Sequence, residues 1–434
     1  MDLKSHQEYN RYMEDVLSQI KNREAQSEII LELQHHIQDI AAEHLQAGLT
    51  EQEAIAKAIS RMGDARAVGR ELNRIHRPRL NWSVFGLALV LAAAGLFLAY
   101  FIDVDTGLLS RSAQFPTRAI ITSLGIALAV CLYFFDYRKL QTYSLHIYIG
   151  MVLVLVFITL QRGNWLYTVR INNNFIATSP LFLGISLAGL FSNWPWGKLK
   201  YYALALVMLS VPLMMILLYP SNATGLAFAA VFFVIMYVSG AKPWQVLLPV
   251  LASGGAFLLS LSVKTPYHHH LYKISGWLNP GSDPNGVGWL YLLLGRLRQS
   301  AELVGRGSLP QPIPFPLHEG ELLLSYIIYN FGWLAVLAIS VAIAALLLRL
   351  AKVGMSTRNA FGKSLAAGIT AFLGVKCLWN ILMNLGILPI AGFTLPLISH
   401  GNTDFLLNMV LIGLALSIYR RRTLTGLPSN VVES

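Results

Sequence analysis

The segment WSVFGLALVLAAAGLFLAYFI, which runs from Trp82 to Ile102, contains no charged side chain. A helix of about 20 apolar residues has the length needed to cross the hydrocarbon core of a bilayer. Comparable apolar runs follow along the chain, at residues 118–135, 144–161, 175–193, 201–219, 222–239, 244–263, 321–349, 361–384 and 394–419. The pattern predicts an all-α, polytopic membrane protein with about ten transmembrane helices.

The composition fits a protein whose solvent is mostly lipid. Hydrophobic residues make up 55% of the 434 residues and charged residues only 13%, which excludes an ordinary soluble protein. Residues 1–80 hold 13 of the 22 acidic and 11 of the 33 basic residues, which leaves 9 acidic and 22 basic residues for the rest of the chain. Because this basic excess is spread over short loops, it indicates membrane orientation, and no nucleic-acid partner is predicted.

Residues 1–80 are predicted to form a small cytoplasmic domain of amphipathic helices. Two helices are expected at residues 12–20 and 28–45. A third opens with a capping box from Thr50 to Glu53 and ends near Gly63, and a fourth follows from Asp64. Residues 81–425 then form the predicted ten-helix membrane domain.

The positive charges predict how the chain lies in the membrane. Ten spans place both termini on the same side, and the loops on that side are rich in basic residues: Arg138, Lys139, Lys198, Lys200, Lys242, Arg349, Lys352, Arg358, Lys363, Arg420, Arg421 and Arg422. The positive-inside rule therefore predicts that both termini are cytoplasmic. On the opposite face, residues 264–320 form one long external segment, and loops of that length usually carry function.

Glu321 is the carboxylate that best fits a catalytic role. It stands where the external segment enters the eighth apolar run, directly before three leucines. A partly buried carboxylate in that position is suited to act as a general base. The alternative is a carboxylate that only stabilises a helix N-terminus through the helix dipole.

Other charges near the membrane allow two interpretations each. Lys376 and Asp404 lie inside predicted spans, where they are either functional groups that could pair or, alternatively, a structural ion pair or a lysine that reaches to the membrane surface. Cations predicted on the outer face suit either a pyrophosphate ligand or anionic lipid headgroups. These cations are Arg111, Arg118, Arg162, Arg170, Lys264, Lys273, Arg296, Arg298 and Arg306.

The sequence predicts neither a disulfide framework nor a protein metal site. Its two cysteines, Cys131 and Cys377, both lie in apolar runs. The run from His268 to His270 consists of consecutive residues, whose side chains do not converge on one ion from an extended or helical backbone.

Two segments carry a resemblance to a known family. LPIAGFTLPLISHG, residues 388–401, is similar to the LPxxGxxLPxxSYGG signature of the SEDS proteins (shape, elongation, division and sporulation), the RodA/FtsW-like membrane proteins. Asn380 stands nine residues before Pro389, as in that family. WLNPGSDPNGVG, residues 277–288, resembles the family's NPxxDPxGxGYQ stretch, and Gly240–Lys242 also fits.

The resemblance implies a peptidoglycan glycosyltransferase that polymerises lipid II on the outer face of the bacterial cell membrane, in division, shape or sporulation. Counting back from Gly332, Glu321 falls at the family's essential aspartate, and Lys273 falls at a family arginine. The substrate-binding candidates that follow are Lys273, Arg118, Arg296, Arg298, Asp283, Ser399 and His400. A divalent cation such as Mg²⁺ is a candidate cofactor, and the implied partner is a class B penicillin-binding protein.

The sequence also departs from the family pattern. The family aspartate is a glutamate here, and SYGG is replaced by Ser399-His-Gly-Asn402. Two alternatives therefore stand beside catalysis: a flippase for lipid-linked precursors, and a non-catalytic regulator that keeps the fold. Residues 1–80 lie outside the family pattern and resemble a small helical prefix domain found before some permeases, for which regulatory docking is expected.

Overall fold

The computed structural model describes residue 3 and residues 6–77, 80–105, 114–160, 169–218, 222–262, 269–308, 320–399 and 401–424. The chain divides into two compact units. One unit combines Met1–Leu80 with Arg420–Ser434, and the other is Asn81–Tyr419. The grouping of the C-terminal segment with the N-terminal residues was not foreseen from the sequence.

Four helices form the N-terminal unit: α1 (Gln7–Ser18), α2 (Arg23–Gln46), α3 (Glu51–Met62) and α4 (Ala65–His76). The predicted capping box at the start of α3 is confirmed, because the Thr50 side chain accepts from the Glu53 amide while the Glu53 carboxylate accepts from the Thr50 amide. Asp64 caps α4 by accepting from the Ala67 amide at 2.8 Å. Each cap satisfies backbone donors that a helix start otherwise leaves unpaired.

The core of this unit follows from helical spacing. On α1 the buried residues are Tyr9, Tyr12, Met13 and Val16, which recur three or four positions apart and so share one face. They pack with apolar side chains of α2 and α3, among them Ile29, Ile37, Ala54 and Ile55, all of which are buried. Leu424, from the C-terminal segment, belongs to the same core.

Fourteen further helices lie in the described part of the membrane unit. The last of them, α18, ends at Arg420, which is grouped with the N-terminal unit. They are α5 (Trp82–Asp105), α6 (Gln114–Phe134), α7 (Lys139–Thr142), α8 (Ser144–Leu160), α9 (Val169–Phe191), α10 (Leu199–Leu218), α11 (Asn222–Val238), α12 (Pro243–Ser262), α13 (His269–Leu278), α14 (Gly288–Ser300), α15 (Leu323–Phe331), α16 (Trp333–Met355), α17 (Ala360–Asn384) and α18 (Asn402–Arg420). Each predicted apolar run corresponds to one of these helices or to a consecutive pair.

Length and composition support the predicted class. Among the described residues, six helices are long and apolar enough to cross a membrane, and three shorter apolar helices accompany them. The chain is therefore an all-α, polytopic membrane protein. Its central helix is α17, which packs against α9, α11, α15 and α16.

The eighth predicted span, 321–349, is interrupted. Gly332 separates α15 from α16 with φ of 87°, a left-handed conformation that favours glycine. A Cβ at this position would lie 2.6 Å from the Leu303 carbonyl oxygen. The amides of Trp333 and Leu334 donate to the carbonyls of Glu302 and Leu303, so residues 302 and 303 hold the break in place.

The tenth predicted span, 394–419, begins later than expected, since α18 starts at Asn402. Residues 385–399 and 401 are irregular, and Leu397 among them has φ of 68°. Eight positions of the predicted span, residues 394–401, thus lie outside the helix or, at residue 400, outside the described residues. Non-helical backbone is tolerated at membrane depth where protein groups satisfy its polar atoms.

We expect Thr50→Ala to weaken the N-terminal unit by about 1 kcal/mol, because it removes the side-chain half of the capping box. Hydrogen exchange of the α3 amides in the whole protein measures the loss. Ser60→Ala is the matched control, since Ser60 is exposed in the same helix and alanine favours helix. Equal exchange in both variants would contradict a stabilising role for the cap.

Candidate functional site

Glu321 lies just before α15, in a short 3-10 turn, Gly320–Leu322. Its main-chain carbonyl accepts two hydrogen bonds, from Asn380 Nδ2 and Asn384 Nδ2, each at 2.9 Å. Both asparagines lie on α17 one helical turn apart and are fully buried. The position of Glu321 is therefore set by the central helix rather than by its own loop alone.

The same amides extend the network on both sides. Asn380 also donates to the Phe393 carbonyl, at 2.6 Å. The Oδ1 atom of Asn384 accepts from the Ser325 amide at 3.1 Å and from the Ser325 hydroxyl at 2.7 Å. Three segments thus meet at one face of α17: the start of α15, the irregular segment 385–401, and α17 itself.

The side chain of Glu321 points toward the irregular segment. Its Oε1 atom lies 3.5 Å from the place where a Cβ of Gly392 would be. Gly392 belongs to the LPIAGF stretch that carries the family resemblance. The half-buried carboxylate and that stretch therefore border the same space.

Helices α13 and α14 hold the other side of the irregular segment. Trp277 Nε1, on α13, donates to the Gly386 carbonyl at 3.2 Å. On α14, the Tyr291 hydroxyl accepts from the Ile390 amide at 3.1 Å, and Arg298 NH1 donates to the Asn384 carbonyl at 2.9 Å. Burial raises the pKa of Tyr291 and lowers that of Arg298.

The predicted pairing of Lys376 with Asp404 is confirmed as an ion pair. Lys376 Nζ donates to one carboxylate oxygen, while the Thr394 hydroxyl, at 2.6 Å, and Asn408 Nδ2, at 3.3 Å, donate to the other. Lys376 is 6% exposed, so this carboxylate compensates a charge that would otherwise be costly to bury. Through Thr394 the pair also binds the irregular segment.

Arg118 lies at the far end of the segment. It is 2% exposed, and NH2 donates to the carbonyls of Leu397 and Ile398 at 3.4 and 3.5 Å. The guanidinium stands over the Phe405 ring, with Cζ at 4.5 Å from the centroid. Arg118 therefore contacts the segment that the resemblance singles out.

The remaining predicted site residues differ in their surroundings. Arg296 is exposed on α14. The Asp283 carboxylate accepts from the Val287 amide at 3.3 Å and lies against Gly286, so it organises the NPGSDPNGVG turn. Ser399 is buried, and its amide donates to the Leu395 carbonyl. The side chain of Lys273 and the whole of His400 lie outside the described residues.

Sequence reasoning missed Asn384, Tyr291 and Trp379, whose Nε1 donates to the Pro389 carbonyl at 3.1 Å. For Asn384 a signal existed, because polar residues recur at 376, 380 and 384 within an apolar run. That spacing places them on one helix face. Among the residues that the structure describes, no three His, Cys, Asp or Glu side chains are grouped as metal ligands.

Comparisons with known proteins agree with this architecture. The FtsW/RodA/SpoVE family of cell cycle proteins matches residues 81–424. A probable peptidoglycan glycosyltransferase FtsW of Thioalkalivibrio sulfidiphilus is 24% identical over 391 residues, which cover 83% of this chain and 94% of the relative. The corresponding protein of Geobacter metallireducens is 24% identical over 319 residues, covering 70% and 84%.

Solved structures share the fold. A chain from a study of polymerisation and crosslinking by a peptidoglycan synthase complex superimposes with a TM-score of 0.61 at 22% identity, covering 80% of this chain and 99% of that one. The rod shape determining protein RodA of Thermus thermophilus gives a TM-score of 0.56 at 18% identity, covering 79% and 97%. Because the family matches most of the sequence, from the first membrane helix to the end of the last, the chain belongs to the FtsW/RodA/SpoVE family of cell cycle proteins.

Proposed function

We propose that the protein is a peptidoglycan glycosyltransferase that polymerises lipid II at the outer face of the bacterial cell membrane. The observation that carries the proposal is the placement of Glu321, whose main chain is held by two buried asparagines and whose carboxylate borders Gly392. The family membership and the names of the relatives support the reaction class.

The chemistry needs one base and a stabilised leaving group. An acceptor sugar hydroxyl attacks the anomeric carbon of the donor, the bond from that carbon to the pyrophosphate oxygen breaks, and the pyrophosphate leaves with the electron pair. Glu321 takes the hydroxyl proton, and the attack from the opposite face inverts the anomeric centre. Because glutamate is one methylene longer than aspartate, the space beside Gly392, which has no side chain, favours its use here.

Cations near this space would stabilise the negative charge that develops on the pyrophosphate. Arg298 is already oriented by the Asn384 carbonyl, and Arg296 lies exposed on the same helix. The set proposed from the sequence also includes Lys273, Asp283, Ser399 and His400, and Arg118, which is buried at the far end of the irregular segment. A divalent cation such as Mg²⁺ would neutralise pyrophosphate oxygens, and we assign it no protein ligands.

The proposal includes a partner and an orientation. A class B penicillin-binding protein would supply the transpeptidase, and the fold match to a chain of a peptidoglycan synthase complex supports this choice. The basic inner loops support cytoplasmic termini, with α13 and α14 outside. Residues 1–80 would then form a cytoplasmic domain with a regulatory role.

We expect Glu321→Gln to lower glycan polymerisation at least about a hundredfold, because the amide cannot accept the proton. Purified protein with and without the penicillin-binding partner is given labelled lipid II, and glycan ladders are resolved on a gel. Glu302→Gln is the matched control, since Glu302 is an exposed carboxylate of the same external segment.

Other outcomes of this assay point to the alternatives. Ladders of equal strength in Glu321→Gln would reject this residue as the base. No ladder from the unaltered protein, together with transfer of lipid II across vesicle membranes, would favour a flippase. Neither ladder nor transfer, with or without the partner, would favour a non-catalytic regulator.

We expect Asn384→Asp to lower kcat roughly 10- to 100-fold with little change in KM, because it removes one of the two donors that hold the Glu321 carbonyl. Asn330→Asp is the control, since Asn330 is a buried amide in α15 that donates to Tyr326 and not to Glu321. Steady-state kinetics on lipid II measure both constants. A parallel loss in both variants would indicate general damage to the fold instead of positioning.

A further inference from the structure

We propose that the N-terminal helical unit is a peptide-binding module whose ligand is the chain's own C-terminal segment, Arg420–Leu424, with Glu24 as the recognising carboxylate. This inference concerns the N-terminal unit alone and is independent of the proposed glycosyltransferase activity. The family match begins at residue 81, after this unit's N-terminal residues.

The charged half of the contact is built as a bidentate pair. Arg421 Nε donates to Glu24 Oε2 at 2.6 Å, and Arg421 NH2 donates to Glu24 Oε1 at 2.8 Å. Arg421 is only 1% exposed and is the largest fully buried side chain among the described residues. The side chain of Arg420, with NH2 at 3.9 Å from Glu24 Oε1, adds a second positive charge.

This bidentate pair selects arginine over lysine. The planar guanidinium fork matches the two carboxylate oxygens, and lysine cannot reproduce this geometry. A buried arginine without its carboxylate is strongly unfavourable, because the charge loses its hydration and gains no partner. The Glu24 carboxylate therefore compensates the charge of Arg421, which allows this arginine to be buried inside a small helical unit.

The apolar half of the contact is Leu424. It is 1% exposed and lies in the core with Leu3, Val16 and Ile29. The Leu424 amide donates to the Arg421 carbonyl at 3.0 Å, which closes a turn. In this turn Arg421 and Leu424 are buried while the two residues between them are half-buried, so the segment presents one charged and one apolar group to the unit.

The ligand class is therefore a short turn of the pattern Arg-x-x-Leu. The segment follows α18 directly, since α18 ends at Arg420, which belongs to the N-terminal unit. This gives residues 1–80 a defined intramolecular ligand.

Hydrogen exchange on the whole protein in detergent tests the proposal. We expect Glu24→Gln and Arg421→Gln each to raise exchange in residues 420–424 and in the first turns of α2 by at least about tenfold. The matched control is Glu32→Gln, an exposed carboxylate two turns further along α2. Unchanged exchange of residues 420–424 in both variants, or an equal rise in the control, would overturn the proposal.

A charge-swapped double variant covers the case in which a single substitution unfolds the unit. Glu24→Arg combined with Arg421→Glu restores an ion pair only if these two side chains meet. We expect this double variant to recover most of the protection that either single charge reversal loses. Failure of the swap to restore any protection, with α3 still protected, would show that Glu24 does not recognise the segment.

Discussion

Two side-chain amides, those of Asn380 and Asn384, hold the main chain of Glu321 from the central helix of the membrane unit. In a lipid environment a backbone carbonyl outside a helix needs a donor from the protein, because no water is there to supply one. These amides also reach Phe393 and Ser325. The irregular segment, the start of α15 and the orientation of Glu321 consequently depend on one face of α17.

Buried charges fix the same segment at other points. Asp404 collects donors from Lys376, Thr394 and Asn408, and Arg118 donates to two carbonyls near Leu397. A buried ion pair contributes little net stability, since desolvation offsets most of the attraction. Its partners nevertheless cannot separate without leaving a charge unpaired in an apolar interior. We infer that these groups serve to hold one conformation of residues 393–399.

Local patterns predicted much of the fold. Apolar runs located the membrane helices, and the Thr50–Glu53 pattern located the start of α3, because lipid burial and helix capping are decided within a few turns of chain. The break at Gly332 and the late start of α18 could not be predicted from local sequence patterns. Both depend on contacts with distant segments, Glu302 and Leu303 in one case and Arg118 in the other.

In the candidate site, too, some features follow from local sequence and others depend on distant contacts. Glu321 was recognisable from its place beside an apolar run, whereas the donors to its carbonyl come from residues some sixty positions later. The roles of Tyr291, on α14, and Trp379, on α17, likewise arise only when these helices meet residues 389 and 390. Hydropathy describes where such residues lie relative to the membrane, but not which backbone group each one reaches.

The N-terminal unit is assembled from both ends of the described chain, and the membrane unit is an insertion between them. During synthesis α1 to α4 emerge first, yet the partner of Glu24 is 397 residues away. Arg421 and Leu424 are synthesised after every membrane helix. The interior of this small unit is therefore completed only after every membrane helix has been made, and chains that stop before Leu424 lack part of it.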